Sequence, residues 1–297
     1  MTTINIATLN VNGINDYNKC LSIFNTLKTF NCEIIALQET HIIQNNIEQI
    51  KSLWPYDSEW NPAPSSNSCG TAILLGPKTE KKGYTMDTTG RIITVKTQYN
   101  DNDIQITNIY APNDNQHREH FFDQINNYMY NNTNHSIITG DFNMVEKPEI
   151  DRVPPSKSST YTKGINNLNK LKQKYDLRDI WRDKNKKARE FTWNSQQANV
   201  KKSSRLDRFY ISSKITLLNQ KIIRIAQSDH AIVLSRIVIP TKAPRGPGYY
   251  KLNNNILKDP NYTEQMSNIL NKIPYDPSNP NLFICCKMNC LNMPLGH

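Results

Sequence analysis

The sequence has 297 residues and a formal net charge of +10 at pH 7, with 36 lysines and arginines against 26 aspartates and glutamates. This length suits one large domain or two small ones, and recurring patterned apolar segments exclude wholesale disorder. No apolar run approaches the roughly 20 residues of a membrane-spanning helix, and the first residues lack a secretory signal, so the sequence predicts an intracellular protein without membrane contact.

Short apolar or alternating runs predict strands, and apolar residues at helical spacing predict helices. In chain order the first half gives strand 4–9, helix 19–30, strand 33–38, helix 47–53, strands 71–75, 92–97 and 104–110, helix 118–129 and strand 136–139. The second half gives helix 164–175 and strands 205–211, 221–224 and 231–239. Residues 100–103 (Asn-Asp-Asn-Asp) predict a hairpin turn. The sequence therefore predicts an α/β fold with mixed sheets and helices on their outer faces.

Residues rich in proline, glycine and serine predict the boundaries. Residues 151–159 contain two adjacent prolines and predict a surface loop, and a stretch rich in proline and glycine follows residue 240. We therefore expect one domain over residues 1–240. Residues 241–297 are predicted to be a linker and a tail, in which residues 253–273 could form one helix.

The charge is unevenly distributed along the chain. Residues 1–150 carry 10 basic and 16 acidic side chains, whereas residues 151–208 carry 16 basic and 6 acidic ones. Such a local excess of positive charge suggests a polyanionic partner, most simply nucleic acid. On charge alone, a solvated lysine-rich surface explains it equally well.

Short polar signatures follow the predicted strands at their carboxyl ends, where ligands and substrates usually bind in α/β sheets. They are Leu-Asn-Val-Asn-Gly (9–13), Leu-Gln-Glu-Thr-His (37–41), Asn-Ile-Tyr-Ala-Pro-Asn (108–113), Gly-Asp-Phe-Asn (140–143), Arg-Leu-Asp-Arg-Phe-Tyr-Ile-Ser (205–212) and Ser-Asp-His-Ala-Ile-Val (228–233). Taken singly, each has an ordinary explanation, such as a turn at Asp141 or a structural histidine at His230.

Together the signatures favour chemistry on a phosphate ester. Glu39 can give a carboxylate to a divalent cation, with Asn10 beside it. Asp141 or Asp207 can deprotonate an attacking water. Donors must face the charged oxygens of the transition state, and three side chains can serve: Asn143, Tyr110 and His230.

The order of the signatures resembles the endonuclease/exonuclease/phosphatase superfamily, which has the DNase I-like fold, from about residue 4 to residue 239. The resemblance implies a four-layer α/β sandwich in which two packed, mostly antiparallel sheets are covered by helices. Phe-Thr-Trp at 191–193, the aspartate signature at 205–212 and the segment from residue 245 make the sequence most similar to the endonuclease domain of non-LTR (LINE-type) retrotransposons.

The resemblance also implies roles for single residues. Metal binding falls to Glu39, Asn10 and Asp229. The catalytic residues are Asp141, Asn143, His230, Asp229, Tyr110 and Asp207, with Asp229 orienting the imidazole of His230. The substrate contacts are Asn143, Thr192, Ser228 and Arg205. Thr192 is expected to contact phosphate or backbone. Two alternatives remain open here, because Thr192 could be only a β-branched strand residue and residues 205–212 could form a core strand with a salt bridge.

Three functional hypotheses follow. The first is a monomeric Mg²⁺-dependent DNA endonuclease that nicks a phosphodiester in the nucleus, has no reverse transcriptase domain in this chain, and accepts Mn²⁺ as a substitute. Mg²⁺ is preferred because the ligands are oxygens and few are carboxylates, which leaves room for water and phosphate. The second is an abasic-site repair nuclease or a phosphatase on the same fold. The third is a non-catalytic nucleic-acid-binding remnant, against which the full set of site residues argues.

Overall fold

A computed structural model describes residues 2–100, 102–131, 133, 135–156, 158–195, 202–240 and 258–272. The chain divides into two compact units, Met1–Thr241 and Lys242–His297. The proline- and glycine-rich stretch after residue 240 and the cysteine-rich end lie outside the described residues.

The described residues form six α-helices: α1 (Tyr17–Lys28), α2 (Ile47–Lys51), α3 (Asn115–Gln124), α4 (Ile165–Lys174), α5 (Ile180–Lys184) and, in the second unit, α6 (Pro260–Asn271). Aspartates begin three of them, since the side chains of Asp16, Asp114 and Asp179 accept hydrogen bonds from backbone N–H groups of the first turn. Among the described residues, no helix is both long and apolar enough to cross a bilayer.

The same residues form fifteen strands. They are β1 (Thr2–Asn10), β2 (Ile34–Gln38), β3 (Ser58–Asn61), β4 (Thr71–Leu75), β5 (Thr79–Met86), β6 (Ile92–Tyr99), β7 (Asn102–Tyr110), β8 (His135–Asp141), β9 (Arg152–Val153), β10 (Leu177–Asp179), β11 (Trp193–Asn194), β12 (Ser203–Ser204), β13 (Asp207–Ser212), β14 (Thr216–Ile223) and β15 (Ile232–Ile239).

Two six-stranded sheets share one plan. The first has the order β14-β15-β1-β2-β4-β3 and the second β10-β13-β8-β7-β6-β5. Each contains a single parallel pair, β1 with β2 and β7 with β8, and its other neighbours are antiparallel. A parallel pair needs a crossover, which α1 and α3 supply. Pairing of Tyr99 with Asn102 confirms the predicted hairpin turn.

Apolar side chains fill the spaces between four layers. Ile6 and Ile73 of the first sheet share one buried cluster with Ile106 and Ile137 of the second. A second cluster joins the first sheet to α1 and α2, and a third joins the second sheet to α3 and α4. The predicted four-layer sandwich of two mixed, mostly antiparallel sheets is therefore confirmed.

The predicted surface loop at residues 151–159 is wrong at its start. Asp151 and Arg152 are buried, and Arg152 begins β9, whereas Pro154 and Pro155 are exposed as expected. The reason is a long-range ion pair, since the Asp151 carboxylate accepts hydrogen bonds from Arg182 and Arg205. Nothing in the local composition indicates those partners.

The basic stretch is partly structural. Four of its basic side chains are buried: Arg152, Arg182, Arg205 and Arg208. The exposed Lys170 and Lys174 lie on α4, in the outer layer of the second sheet. Among the described residues of this stretch, these four arginines contribute to the interior and not to a surface for a polyanion.

Candidate active site

The polar signatures meet where strands of both sheets end. The parallel strands β1 and β2 end at Asn10 and Gln38, and β7 and β8 end at Tyr110 and Asp141. Gly140 allows β8 to approach β7 closely, because a Cβ there would lie 2.0 Å from the backbone oxygen of Ile109. The antiparallel strand β13 then pairs Asp207 with Asp141, so residues distant in sequence become neighbours.

Asn10 connects two carboxylates from different sheets. Its Nδ2 lies 2.8 Å from Glu39 Oε1 and 3.1 Å from Asp141 Oδ2. Its Oδ1 accepts a hydrogen bond from the backbone N–H of Asn12 at 3.0 Å. An amide oxygen has two lone pairs, so one lone pair of Asn10 Oδ1 remains for a metal ion. The role of Asn10 as a metal ligand stays a prediction.

Glu39 occupies a strained position next to this amide. Its φ of 50° is unusual for a residue other than glycine, and its carbonyl accepts a hydrogen bond from the N–H of Gly13 at 2.7 Å. Burial alone would raise the pKa of Glu39, but hydrogen bonds from His41, Asn10 and Tyr110 lower it to about 2. Glu39 is therefore an ionised carboxylate held at a fixed place.

His230 pairs with Asp207 in the interior of the site. Nδ1 of the imidazole lies 2.9 Å from Asp207 Oδ2, and Nε2 lies 3.8 Å from Asp141 Oδ2. Burial alone would lower the pKa of His230, but the charge and hydrogen bond of Asp207 raise it to about 10. The imidazole is thus a fixed cation with its Nε2 towards Asp141.

The predicted partner of His230 is wrong, since Asp207 and not Asp229 orients the imidazole. The Asp229 carboxylate instead accepts hydrogen bonds from Trp193 Nε1 at 2.8 Å and Asn12 Nδ2 at 3.4 Å. Asp229 lies in a bend before β15, and its carboxylate is directed to Trp193 and Asn12 while the imidazole of the next residue meets Asp207.

Asp141 and Asn143 form a turn at the end of β8. Asp141 Oδ1 accepts from the N–H of Asn143 at 2.9 Å, and Asn143, with φ 47°, donates from Nδ2 to the Ala111 carbonyl at 2.8 Å. Burial, and then the nearby charge of Asp207, raise the pKa of Asp141 well above its usual range. A raised pKa makes a carboxylate a stronger base, as a general base requires.

Tyr110 also contacts Glu39, through a side-chain hydrogen bond. Burial and the negative charge of Glu39 raise the pKa of the Tyr110 hydroxyl, so it keeps its proton at neutral pH. The Arg91 guanidinium lies 4.8 Å from the centre of the Tyr110 ring and donates to the Tyr110 carbonyl at 3.1 Å. Tyr110 is thereby a fixed hydrogen-bond donor to Glu39.

The three residues predicted to contact substrate alongside Asn143 are bound to other protein groups. The Thr192 hydroxyl accepts from the N–H of Asp207 at 3.0 Å, which is a backbone contact, and its contact with phosphate stays a prediction. The Ser228 hydroxyl donates to the Asn10 carbonyl at 2.7 Å. Arg205 is buried against Asp151 and Asp179, which corrects its predicted substrate role and matches the salt-bridge alternative.

The sequence analysis did not predict four residues that contact the site residues or their neighbours: Asn12, His41, Trp193 and Lys19. Asn12 and His41 stand inside two of the polar signatures, and Trp193 stands in the Phe-Thr-Trp run, so a signal was available. Lys19 donates from Nζ to the Asn12 carbonyl at 2.6 Å, and nothing in its helical segment indicated this.

The donor set fits a hard divalent cation. The site contains four carboxylates (Glu39, Asp141, Asp207 and Asp229) and one imidazole, and Asp207 Oδ1 is buried without a hydrogen-bond partner among the described residues. Ligand atoms of Asp141, Asp207 and His230 also lie within 4.8 Å of one another. Carboxylate oxygens are the ligands that Mg²⁺ and Ca²⁺ prefer, and Asp207 Oδ1 is the one in this set that is buried without a donor among the described residues.

Comparison with known proteins gives one curated relative. The chain is 27% identical over 274 residues to the transposon TX1 uncharacterized 149 kDa protein of Xenopus laevis, a match that covers 89% of the chain and 20% of that relative. The chain thus spans about a fifth of the length of the curated relative.

Two solved structures are similar in fold, each with a TM-score of 0.64. The 3' phosphatase NExo from Neisseria, bound to product DNA hairpin, is 19% identical, with 78% of this chain and 98% of that chain covered. The AP endonuclease LMAP from Leishmania major is 16% identical, with 80% and 88% covered.

The family profile settles the assignment. The description "Endonuclease/Exonuclease/phosphatase family" matches residues 7–230, which include every signature from Asn10 to His230. Both parts of the predicted resemblance, to the superfamily and to a transposon protein, are therefore confirmed. The chain belongs to the Endonuclease/Exonuclease/phosphatase family.

Proposed function

We propose that this chain is a Mg²⁺-dependent DNA endonuclease, derived from a non-LTR retrotransposon, that nicks one strand of a duplex. One observation carries the proposal: Glu39, Asp141 and the Asp207–His230 pair meet around Asn10 although they come from both sheets. A bound cation offsets the repulsion among these carboxylates, and a phosphate can then bind to the cation.

Glu39 would hold the ion, with Asn10 and Asp229 as further ligands, directly or through water. Mn²⁺, which takes similar oxygen ligands, would substitute for Mg²⁺. When bound, the ion supplies Lewis-acid stabilisation of the charge that develops on the phosphate oxygens.

The protein's own groups would handle the proton and the remaining charge. Asp141 would take the proton of the attacking water. His230, fixed by Asp207 through Nδ1, would donate from Nε2 to a non-bridging phosphate oxygen. Asn143 keeps one amide hydrogen free for the phosphate, since its other donor is engaged with Ala111. Tyr110 would keep Glu39 in place.

DNA is the proposed partner and the nucleus the proposed place of action. Lys19 and Arg91 lie beside the site, where they can approach a polyanionic backbone. The proposed place of action follows from the similarity to a transposon protein, and we expect the chain to act as a monomer.

The test is a supercoiled-plasmid assay with the purified full chain, with and without Mg²⁺. An abasic-site oligonucleotide and a soluble phosphomonoester are offered in parallel as competing substrates. His230→Ala is the informative variant. His120→Ala, which alters an exposed histidine of α3, is its matched control.

We expect Mg²⁺-dependent nicking by the parent chain and by His120→Ala, and none by His230→Ala. Unchanged nicking by His230→Ala would refute the assignment of the site. Faster turnover of the abasic oligonucleotide or of the phosphomonoester would move the chain to the repair or phosphatase alternative. Retained DNA binding without hydrolysis in Mg²⁺ or Mn²⁺ would support the non-catalytic remnant.

A further inference from the structure

Asp229 is held by donors that have no part in the Asp207–His230 pair. The indole N–H of Trp193 donates to Asp229 Oδ2 at 2.8 Å, and Asn12 Nδ2 lies 3.4 Å from Oδ1. Each carboxylate oxygen therefore has a donor from a different segment, and the carboxylate is kept away from the imidazole.

The Asn12 contact connects Asp229 to the Glu39 side of the cleft. The backbone N–H of Asn12 donates to Asn10 Oδ1 at 3.0 Å, and Asn10 Nδ2 donates to Glu39 at 2.8 Å. A chain of hydrogen bonds thus runs from Trp193 through Asp229 and the two asparagines to the carboxylate that would hold the ion.

Trp193 is itself fixed by backbone pairing. It belongs to β11, where it pairs with Ser204 of β12, and an isolated bridge joins it to His230. The N–H of Asn194 also donates to the Asp229 carbonyl at 3.3 Å. The indole therefore has little freedom to leave the carboxylate unless β11 and β12 move with it.

We propose that Trp193 is a positioning residue that aims the Asp229 carboxylate at the cation held by Glu39, so that the β11–β12 strand pair and the metal site move together. The inference rests on the proposed function for the identity of the ion. Carboxylates that act on a metal are commonly oriented by outer hydrogen-bond donors, whose loss costs about 10–100-fold in metal affinity.

The test is calorimetric titration of Mg²⁺ into the full chain without DNA, on Trp193→Phe, Asp229→Asn and the double variant. Phenylalanine keeps a ring and removes the N–H. Trp54→Phe is the matched control, because it removes an indole N–H that donates to the Leu75 carbonyl in the buried core.

We expect Trp193→Phe to raise the Kd for Mg²⁺ about tenfold and to add nothing in the Asp229→Asn background, while Trp54→Phe leaves the Kd unchanged. Plasmid nicking by Trp193→Phe should recover at higher Mg²⁺. An unchanged Kd in Trp193→Phe, or an equal rise in both backgrounds, would overturn the proposal.

The two proposals fail differently. If the parent chain binds Mg²⁺ as expected but nicks no plasmid, the endonuclease proposal falls while the role of Trp193 stands. If it nicks plasmid but Trp193→Phe binds Mg²⁺ as tightly as the parent, only the positioning role falls. A parent chain that binds no Mg²⁺ overturns both.

Discussion

Two buried ionic clusters lie in the same domain and differ in their balance of charge. In one, Asp151 and Asp179 are matched by Arg182 and Arg205, and Arg205 bonds both carboxylates at 2.8 and 2.6 Å. In the other, Glu39, Asp141 and Asp207 face a single cation, His230. A balanced cluster is complete without a ligand, whereas an acidic one needs a cation from outside. Charge balance therefore distinguishes structural from functional carboxylates here.

The largest expected effect comes from Glu39→Gln, which removes one charge from the acidic cluster. We expect Mg²⁺-dependent nicking to fall by more than about 10³-fold, because a metal ligand supplies several kcal/mol of stabilisation. The free energy of unfolding should fall as well, because hydrogen bonds from His41, Asn10 and Tyr110 stabilise the ionised carboxylate in the folded chain. Plasmid nicking and urea denaturation measure the two, with Glu48→Gln on the exposed face of α2 as control.

The second expected effect is a difference between variants of Asp207 and Asp229 in their loss of nicking. Asp207→Asn should lower nicking about 10³-fold, because an amide no longer fixes the protonated imidazole of His230. Asp229→Asn should lower it only about tenfold at limiting Mg²⁺, with recovery at high Mg²⁺. If Asp229→Asn were the more damaging at saturating Mg²⁺, the predicted dyad of Asp229 and His230 would be right after all.

Removing a carboxylate from the charge-balanced cluster should lower the stability of the fold. Asp151→Asn leaves Arg182 and Arg205 without a shared carboxylate, which should lower the free energy of unfolding by about 3–5 kcal/mol. Nicking per folded molecule should stay near the parent value, because neither arginine faces the cleft. Urea denaturation measures the change, and a stable but inactive Asp151→Asn chain would contradict the distinction between the clusters.

The smallest effect concerns exposed charge outside both clusters. Lys170→Gln with Lys174→Gln on α4 should leave plasmid binding and its salt dependence unchanged. Binding measured across a range of salt concentrations checks this. A slope of log K against log salt that is smaller by about two would show that DNA runs along α4.

The sequence was most informative where patterns are long or chemically unusual. Strands such as β1 and β8 are long enough to show an apolar pattern, and the signatures that end them were identified correctly. The strands β9, β11 and β12 have two residues each, too few to show any period. They are formed by pairing with distant segments, which no local pattern encodes.

The errors at the site have one cause. The resemblance implied that Asp229 orients His230, but the Asp229 carboxylate is bound by Trp193 and Asn12 instead. Asp207 reaches the imidazole from 23 residues away, through the pairing of β13 with β8. The resemblance also implied that Arg205 contacts substrate, but its partners Asp151 and Asp179 come from other segments. Side-chain identity was predictable, and side-chain partners were not.

The most direct test of the central claim is nicking of supercoiled plasmid by the parent chain, freed of metal with EDTA and then titrated with Mg²⁺. If the acidic cluster requires a cation, nicking is absent in EDTA and appears as Mg²⁺ is added. Nicking that persists undiminished in EDTA, or that no concentration of Mg²⁺ or Mn²⁺ produces, would contradict the account.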